Sequence, residues 1–383
     1  MKNSSCIELN KKMFAKNVRY LQKRIGTAKF TSVIKGNAYG HCINNFLPMA
    51  ESVGVDSFAV FDAGEAERAL KIKQPETDIM IMGMIDNDEL EWAVDNHISF
   101  FVFDFDRLEN AIRAARKLKQ KSRIHVEIET GMNRTGFELE KLEKLVEILK
   151  TNRNNLVLEG VCTHYAGAES ISNHARITKQ FDVFIEARNR LENMGVKPRY
   201  YHSACSAAAL TYKNTIMDMV RFGIAQYGFW PSQETRMYNM LSTDNGFSKD
   251  PLTQILSWKS RIMNIKEVPK GEFVGYGTTA LMTRKTKVAA VPVGYAYGFA
   301  RNLSNIGYVL VRGRKASVIG MVNMNVILVN VNGIPGVQKN DEVVLIGRQG
   351  RKRITVSSFC DITQNVNYEL LTRLPETIPR KII

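Results

Sequence analysis

Lys35 stands in the run Ser32-Val33-Ile34-Lys35-Gly36-Asn37-Ala38-Tyr39-Gly40-His41. Small and apolar residues read as a strand, and the lysine follows where two glycines turn the chain. Keeping a lysine cationic at the dry end of a strand is costly. Its pKa falls there and its amine becomes a nucleophile fit to form an imine with a carbonyl. The plain alternative is a lysine whose stem lies along the fold while its ammonium reaches water. Arg221, in Met219-Val220-Arg221-Phe222-Gly223-Ile224, is a second charge among core residues. An arginine stays protonated at any working pH and can only donate hydrogen bonds. Ser206 offers a hydroxyl, and Gly223 with Ile224 offers backbone N–H groups. Together they suit an anion, and singly they read as a helix cap and a strand-end turn.

The elements that must position these groups are legible as short apolar runs. Candidate strands are 30–34, 57–61, 79–83, 99–103, 124–128, 156–162, 199–202 and 220–225. Stretches of helical period lie between most of them, among them 64–72 and 138–149, where leucines recur at 139, 142, 145 and 149. Repeated strand–helix units over this length predict an α/β fold, an N-terminal (β/α)8 barrel. A doubly wound sheet is disfavoured because no Gly-x-Gly-x-x-Gly loop follows the first strand. After about residue 235 strands follow at short spacing, at 286–293, 308–311, 316–322, 326–329, 342–346 and 353–356. That pattern predicts a C-terminal, mostly-β domain. The expected division is a barrel over 10–234 and a β domain built from 1–9 plus 235–383.

The 383 residues are 44% hydrophobic, enough for a large core and two domains. No apolar run is long enough for a membrane span, and the N-terminus shows no secretory h-region, so a cytoplasmic protein with no membrane partner is expected. Cys6, Cys42, Cys162, Cys205 and Cys360 are scattered and form no Cys-x-x-Cys pair, which predicts reduced thiols and no metal site. The 53 basic and 38 acidic residues leave a net charge of +15. The densest basic clusters, 312–315 and 348–353, carry no interleaved aromatics, so no nucleic-acid partner is expected.

Several motifs in order resemble the alanine racemase family. The Lys35 segment is similar to that family's pyridoxal-phosphate lysine, and the resemblance extends from Ile7-Glu8-Leu9 to Asn367-Tyr368-Glu369. It implies pyridoxal 5'-phosphate as cofactor, with Lys35, Tyr39, Arg134, His164, Ser206, Arg221, Gly223, Ile224 and Tyr368 around it. Arg221 is then the ring-nitrogen partner, keeping that nitrogen unprotonated and the ring a weak electron sink, which favours racemisation. His164 is implied to pack near the ring and join the Arg221 network. Arg134 and the backbone of Met324 are implied to meet the substrate carboxylate. Tyr276, in Phe273-Val274-Gly275-Tyr276-Gly277, is the implied second base, reaching the barrel mouth of the other subunit of a homodimer. Free tyrosine is about 0.1% ionised at neutral pH, so nearby cations such as His164 and Arg221 would have to lower its pKa. Tyr295, Tyr368 and Arg301 belong to the implied entrance. The implied reaction interconverts L- and D-alanine and supplies D-alanine for peptidoglycan.

The chain departs from the family pattern at several positions. Many members carry a carbamylated lysine where this chain has Glu127, which makes Glu127 a candidate to orient Arg134 without carbon dioxide. Asn323, Asn325, Tyr297 and Ala280 replace usual Cys, Asp, Asp and Tyr. A broad-specificity or serine racemase is therefore the alternative activity. A non-catalytic pyridoxal-phosphate-binding protein fits less well, because such proteins resemble the barrel alone. A decarboxylase is disfavoured by Arg221.

Overall fold

The computed structural model describes residues 3–241, 250–363 and 367–383, with the side chains of 360–363 outside the description. Residues 1–2, 242–249 and 364–366, which belong to the stretches expected in the β domain, lie outside the described residues, as does the Cys360 side chain. The chain divides into two compact units, 12–36 with 47–254, and 1–11 with 37–46 and 255–383.

Strand β1 (Ser5–Leu9) belongs to the second unit. The first unit is built on β2 (Lys29–Val33), β3 (Ser57–Val60), β4 (Asp78–Ile81), β5 (Ser99–Val102), β6 (Ser122–Glu127), β7 (Leu156–Cys162), β8 (Tyr200–His202) and β9 (Met219–Phe222). All pairings among them are parallel, in the order β8-β7-β6-β5-β4-β3-β2-β9. The sheet closes because Asp218 N–H donates to the Tyr201 carbonyl (3.0 Å) and Arg221 N–H to that of Ala204 (3.1 Å). This is the expected barrel. Parallel strands buried on both faces read as continuous apolar runs, which is why they were visible in the sequence.

Helices return the chain between strands. Asp62 caps helix Ala63–Leu70 by accepting the Glu65 N–H, and Glu65 accepts the Phe61 N–H at 3.0 Å. One open donor of the first turn and the N–H just before the cap are satisfied in this way. Asp104 caps Phe105–Leu118 likewise. The helix expected over 138–149 begins as a 3-10 turn at Leu139–Lys141 and continues as Leu142–Thr151, burying Leu142, Leu145 and Leu149.

In the second unit, β1 pairs antiparallel with β10 (Leu256–Arg261). The remaining strands are β11 (Asn264–Val268), β12 (Thr286–Val291), β13 (Tyr308–Val311), β14 (Arg314–Ser317), β15 (Ile327–Asn330), β16 (Glu342–Gln349), β17 (Lys352–Ile354) and β18 (Arg380–Ile382). One sheet runs β14-β13-β16-β10-β1-β18, with β17 paired to β16, and a second runs β11-β12-β15. Trp258, Ile7, Leu9 and Phe299 are fully buried in this unit. Three strands escape the sequence pattern. β10 carries Ser and Lys between its buried residues, β11 buries none of its own, and β18 is short. The strand expected over 316–322 lies earlier, at Arg314–Ser317, because Gly320 turns at φ +72°. Short helices Val356–Thr363 and Asn367–Thr372 replace the end of the expected all-β pattern.

Candidate active site

Lys35 follows β2 at the carboxyl end of the barrel strands, where such barrels carry their chemistry. The next residues coil the wrong way for L-amino acids: Gly36, Asn37, Ala38, Tyr39 and Gly40 have φ of 62°, 52°, 54°, 50° and 75°. Three of them are not glycine, an intrinsic cost of roughly 3–6 kcal/mol. Local bonds hold the turn. Asn37 Oδ1 accepts the Ile43 N–H (2.9 Å), the Asn37 carbonyl accepts the Cys42 N–H (3.0 Å), and the His41 ring meets the Ala38 and Tyr39 carbonyls (each 2.9 Å). The side chain of Lys35 is open at the strand ends, yet partial desolvation, then the Arg134 and Arg221 cations, lower its pKa. A larger share of neutral amine is what a nucleophilic lysine requires.

Arg221 on β9 is buried, and its guanidinium is held by acceptors. It bonds the His202 Nδ1, the carbonyl of His202 at 3.1 Å, that of Thr163 at 2.8 Å and that of Ser203 at 3.3 Å. Its ring partner is thus His202, whereas His164 was expected in that network. The His164 carbonyl instead accepts from Gln180 (3.0 Å). Burial, then Arg221, Arg134 and Lys35, lower the His164 pKa to about 3. A shift of that size leaves the His164 ring neutral at pH 7. Beside Arg221, the Gly223 N–H donates to Ser206 Oγ at 3.0 Å. Ser206 opens helix Ser206–Thr211, and Ile224 opens the 3-10 turn Ile224–Tyr227, so the three expected anion-binding residues lie together.

After β6, Arg134 Nη2 lies 3.8 Å from Glu127 Oε1, and the other Glu127 oxygen accepts the Thr135 hydroxyl at 2.7 Å. Burial raises the Glu127 pKa against the opposing pull of Thr135 and Arg134. Glu129, which sequence reading left without a role, shapes the loop. Its carboxylate takes the N–H groups of Gly131 and Arg134, and these bonds outweigh burial and lower its pKa.

The other expected residues belong to the second unit. Tyr276 is 73% exposed on a turn between Gly275 and Gly277, both at positive φ. Tyr39 is buried, with its ring 6.0 Å from that of Tyr368. Tyr295 N–H donates to the Asn323 carbonyl and Ala296 N–H to that of Met324, each at 3.0 Å. Gly294 permits this approach, since a Cβ there would sit 2.0 Å from the Asn323 oxygen. Met324 is exposed, and Arg301 opens the 3-10 turn Arg301–Leu303. Ala280 is buried in an apolar cluster with Val274, Met282, Val288 and Ile319.

Two family models match the chain: alanine racemase, N-terminal domain, over residues 9–231, and alanine racemase, C-terminal domain, over 255–382. The chain belongs to the alanine racemase family. It is 36% identical to the alanine racemase of Leptospira interrogans serovar copenhageni, covering 99% of this chain and 96% of that one. It is 32% identical to alanine racemase 1 of Caldanaerobacter subterraneus, covering 95% and 91%. Among solved structures, the alanine racemase of Bacillus anthracis with bound L-Ala-P superposes with a TM-score of 0.89 at 28% identity, covering 100% and 96%. The Bartonella henselae enzyme with covalently bound pyridoxal phosphate shares the fold, with a TM-score of 0.83 at 22% identity, covering 100% of both chains. Family members depend on pyridoxal phosphate. The donor set here fits that group, combining a lysine of lowered pKa, a hydroxyl beside the Gly223 backbone N–H, and a buried guanidinium that can only donate.

Among the described residues no helix is long and apolar enough to cross a membrane, and no group of His, Cys, Asp and Glu is placed to hold a metal. Cys6, Cys42, Cys162 and Cys205 are free thiols.

Proposed function

We propose that this chain is an alanine racemase acting through two bases on opposite faces of the substrate, and that it supplies D-alanine for peptidoglycan in the cytoplasm. The observation that carries the reading is the meeting of Lys35, Arg134, Arg221 and the Ser206–Gly223 pair at one end of one barrel. Pyridoxal phosphate, when bound through Lys35, acidifies the substrate Cα–H. Ser206 Oγ with the Gly223 and Ile224 N–H groups binds its phosphate, with Tyr39 and Tyr368 beside it. Arg221, which keeps its protons, would face the ring nitrogen as a donor and leave that nitrogen unprotonated, so the group would supply only weak electron withdrawal, which favours racemisation.

Arg134, steadied by Glu127, and the Met324 backbone bind the substrate carboxylate. His164 packs beside the ring as a neutral imidazole. Lys35 Nζ exchanges the proton of the D-enantiomer and Tyr276 Oη that of the L-enantiomer. Tyr276 acts from the second copy of a homodimer, and its exposure in one copy is consistent with that placement. Tyr295, Tyr368 and Arg301 restrict the entrance and favour a small side chain.

The test is incubation of the purified protein with L-alanine, L-serine and L-lysine, each followed by chiral chromatography, with Lys35→Ala alongside. Rapid Lys35-dependent formation of D-alanine alone supports the proposal. Comparable D-serine or D-lysine moves the assignment to a broad-specificity racemase, with Asn323 and Asn325 as the residues to exchange. No racemisation by the pyridoxal-phosphate-loaded protein overturns it.

A further inference from the structure

Two buried imidazoles lie behind Arg221 and have no part in the chemistry above. His202 Nε2 is 2.9 Å from His125 Nδ1, and their rings meet edge to face at 5.0 Å. Hydrogen-bond logic assigns every proton. The Arg221 guanidinium can only donate, so His202 Nδ1 accepts and its proton sits on Nε2. That N–H donates to His125 Nδ1, so the His125 proton sits on Nε2. A second proton on either ring would set donor against donor. Both groups are buried, and burial lowers both pKa values, aided by the Arg221 charge at His202 and by Arg123 and then Arg221 at His125, which falls to about 3.

The chain makes room for this contact. A Cβ at Gly160 on β7 would lie 2.2 Å from His125 Nδ1 and 2.7 Å from His202 Nε2, at the bond itself. Beside His125 is a cavity of about 10 Å³, the space of a single water centre, lined by Met80 and Met219 on its apolar side and by Ser57, Ser99, Lys29, Asp78 and Arg123. The last three form an ion cage at the amino ends of β2, β4 and β6. Lys29 Nζ and Arg123 Nη1 reach the two Asp78 oxygens at 2.9 and 3.0 Å, and Arg123 Nε reaches Glu159 at 2.8 Å. Phe101 closes the side, 6.0 and 6.1 Å from the two imidazoles.

We propose that His125 is a positioning residue: with His202 it forms a one-way hydrogen-bond relay from the Arg221 guanidinium to a water site above the Lys29–Asp78–Arg123 cage. The relay hands Arg221 a lone pair and no proton. It therefore keeps the guanidinium aligned as a donor, and the ring nitrogen opposite it unprotonated. One water in the cavity, accepting from His125 Nε2–H, ties the relay to the barrel floor. The inference rests on the assignment of Arg221 to the ring nitrogen.

The first measurement uses the cofactor-free protein with 15N-labelled histidine. His202 and His125 are expected as neutral Nε2–H tautomers that do not titrate from pH 8 to pH 5.5. A Nδ1-protonated or titrating His202 overturns the relay. The second compares His125→Leu, which removes the acceptor, with His125→Gln, whose carbonyl restores it. Loaded His125→Leu is expected to shift the pH dependence of cofactor absorbance and lower kcat about tenfold, with KM for alanine nearly unchanged. His125→Gln is expected to recover most of both, a rescue that packing alone does not give. An absorbance profile like that of wild type in His125→Leu overturns the relay. Arg221→Gln separates the two claims: if it too leaves the absorbance unchanged, the assignment of Arg221 has failed, and if it alone shifts it, only the relay has. Should His125→Leu not fold, the tautomer measurement on the wild type and the His125→Gln kinetics decide.

Discussion

Replacing Glu127 by Gln changes charge while preserving shape. The Thr135 hydroxyl that bonds one oxygen at 2.7 Å still finds a carbonyl acceptor, so the loop should persist. The loss is the anion 3.8 Å from Arg134 Nη2. Two unit charges at that distance interact by about 4 kcal/mol at an effective dielectric of 20. The Arg134 side chain is 55% exposed, and screening in such a half-open pair reduces the net to about 1 kcal/mol. One kcal/mol is about a fivefold change in binding, so KM for alanine should rise about fivefold in Glu127→Gln while kcat stays within about twofold. Steady-state kinetics in both directions, with pyridoxal phosphate saturating, read both numbers. An unchanged KM, or a collapse of kcat at constant KM, would refute Glu127 as the residue that steadies Arg134. Because Glu127 carries its own charge, added bicarbonate should leave the wild-type KM unaltered, whereas Glu127→Lys should become bicarbonate-sensitive.

Acid should unfold the protein early. His41, His125 and His202 are buried with pKa values depressed by burial, to about 3 for the first two. Their unfolded pKa is near 6.5, so this stability is complete above that value and drains as pH falls toward the folded values. Each proton withheld costs about 2 kcal/mol by pH 5. Denaturant titrations at pH 7.5, 6 and 5 should show that fall, and a flat profile would contradict neutral burial. Gly40→Ala places a Cβ 1.8 Å from the Leu371 carbonyl oxygen at a φ of +75°. It should cost about 3 kcal/mol or more, or yield insoluble protein, and a melting temperature within about 2 °C of wild type would refute the packing account.

The barrel was legible because most of its parallel strands contain a short apolar run between helical stretches, and β13 lies where its pattern placed it, at Tyr308–Val311. Edge and mixed strands such as β11, with no buried residue, leave no such trace. Lys35 and Arg221 stood out because a charge inside an apolar run demands a reason. His125 did not, since a histidine in a core strand looks the same whether it packs or relays. Its partner His202 lies 77 positions away, and only barrel closure brings the two rings together. Glu129 was silent for a related reason: its bonds are to backbone N–H groups of its own loop, which side-chain types do not reveal.

The two-base claim is tested most directly by solvent-deuterium incorporation at Cα, measured from each enantiomer separately with Tyr276→Phe. The account expects exchange from L-alanine to be nearly abolished while D-alanine, served by Lys35, still exchanges its proton without inverting. Equal loss from both enantiomers, or no loss from either, would contradict it.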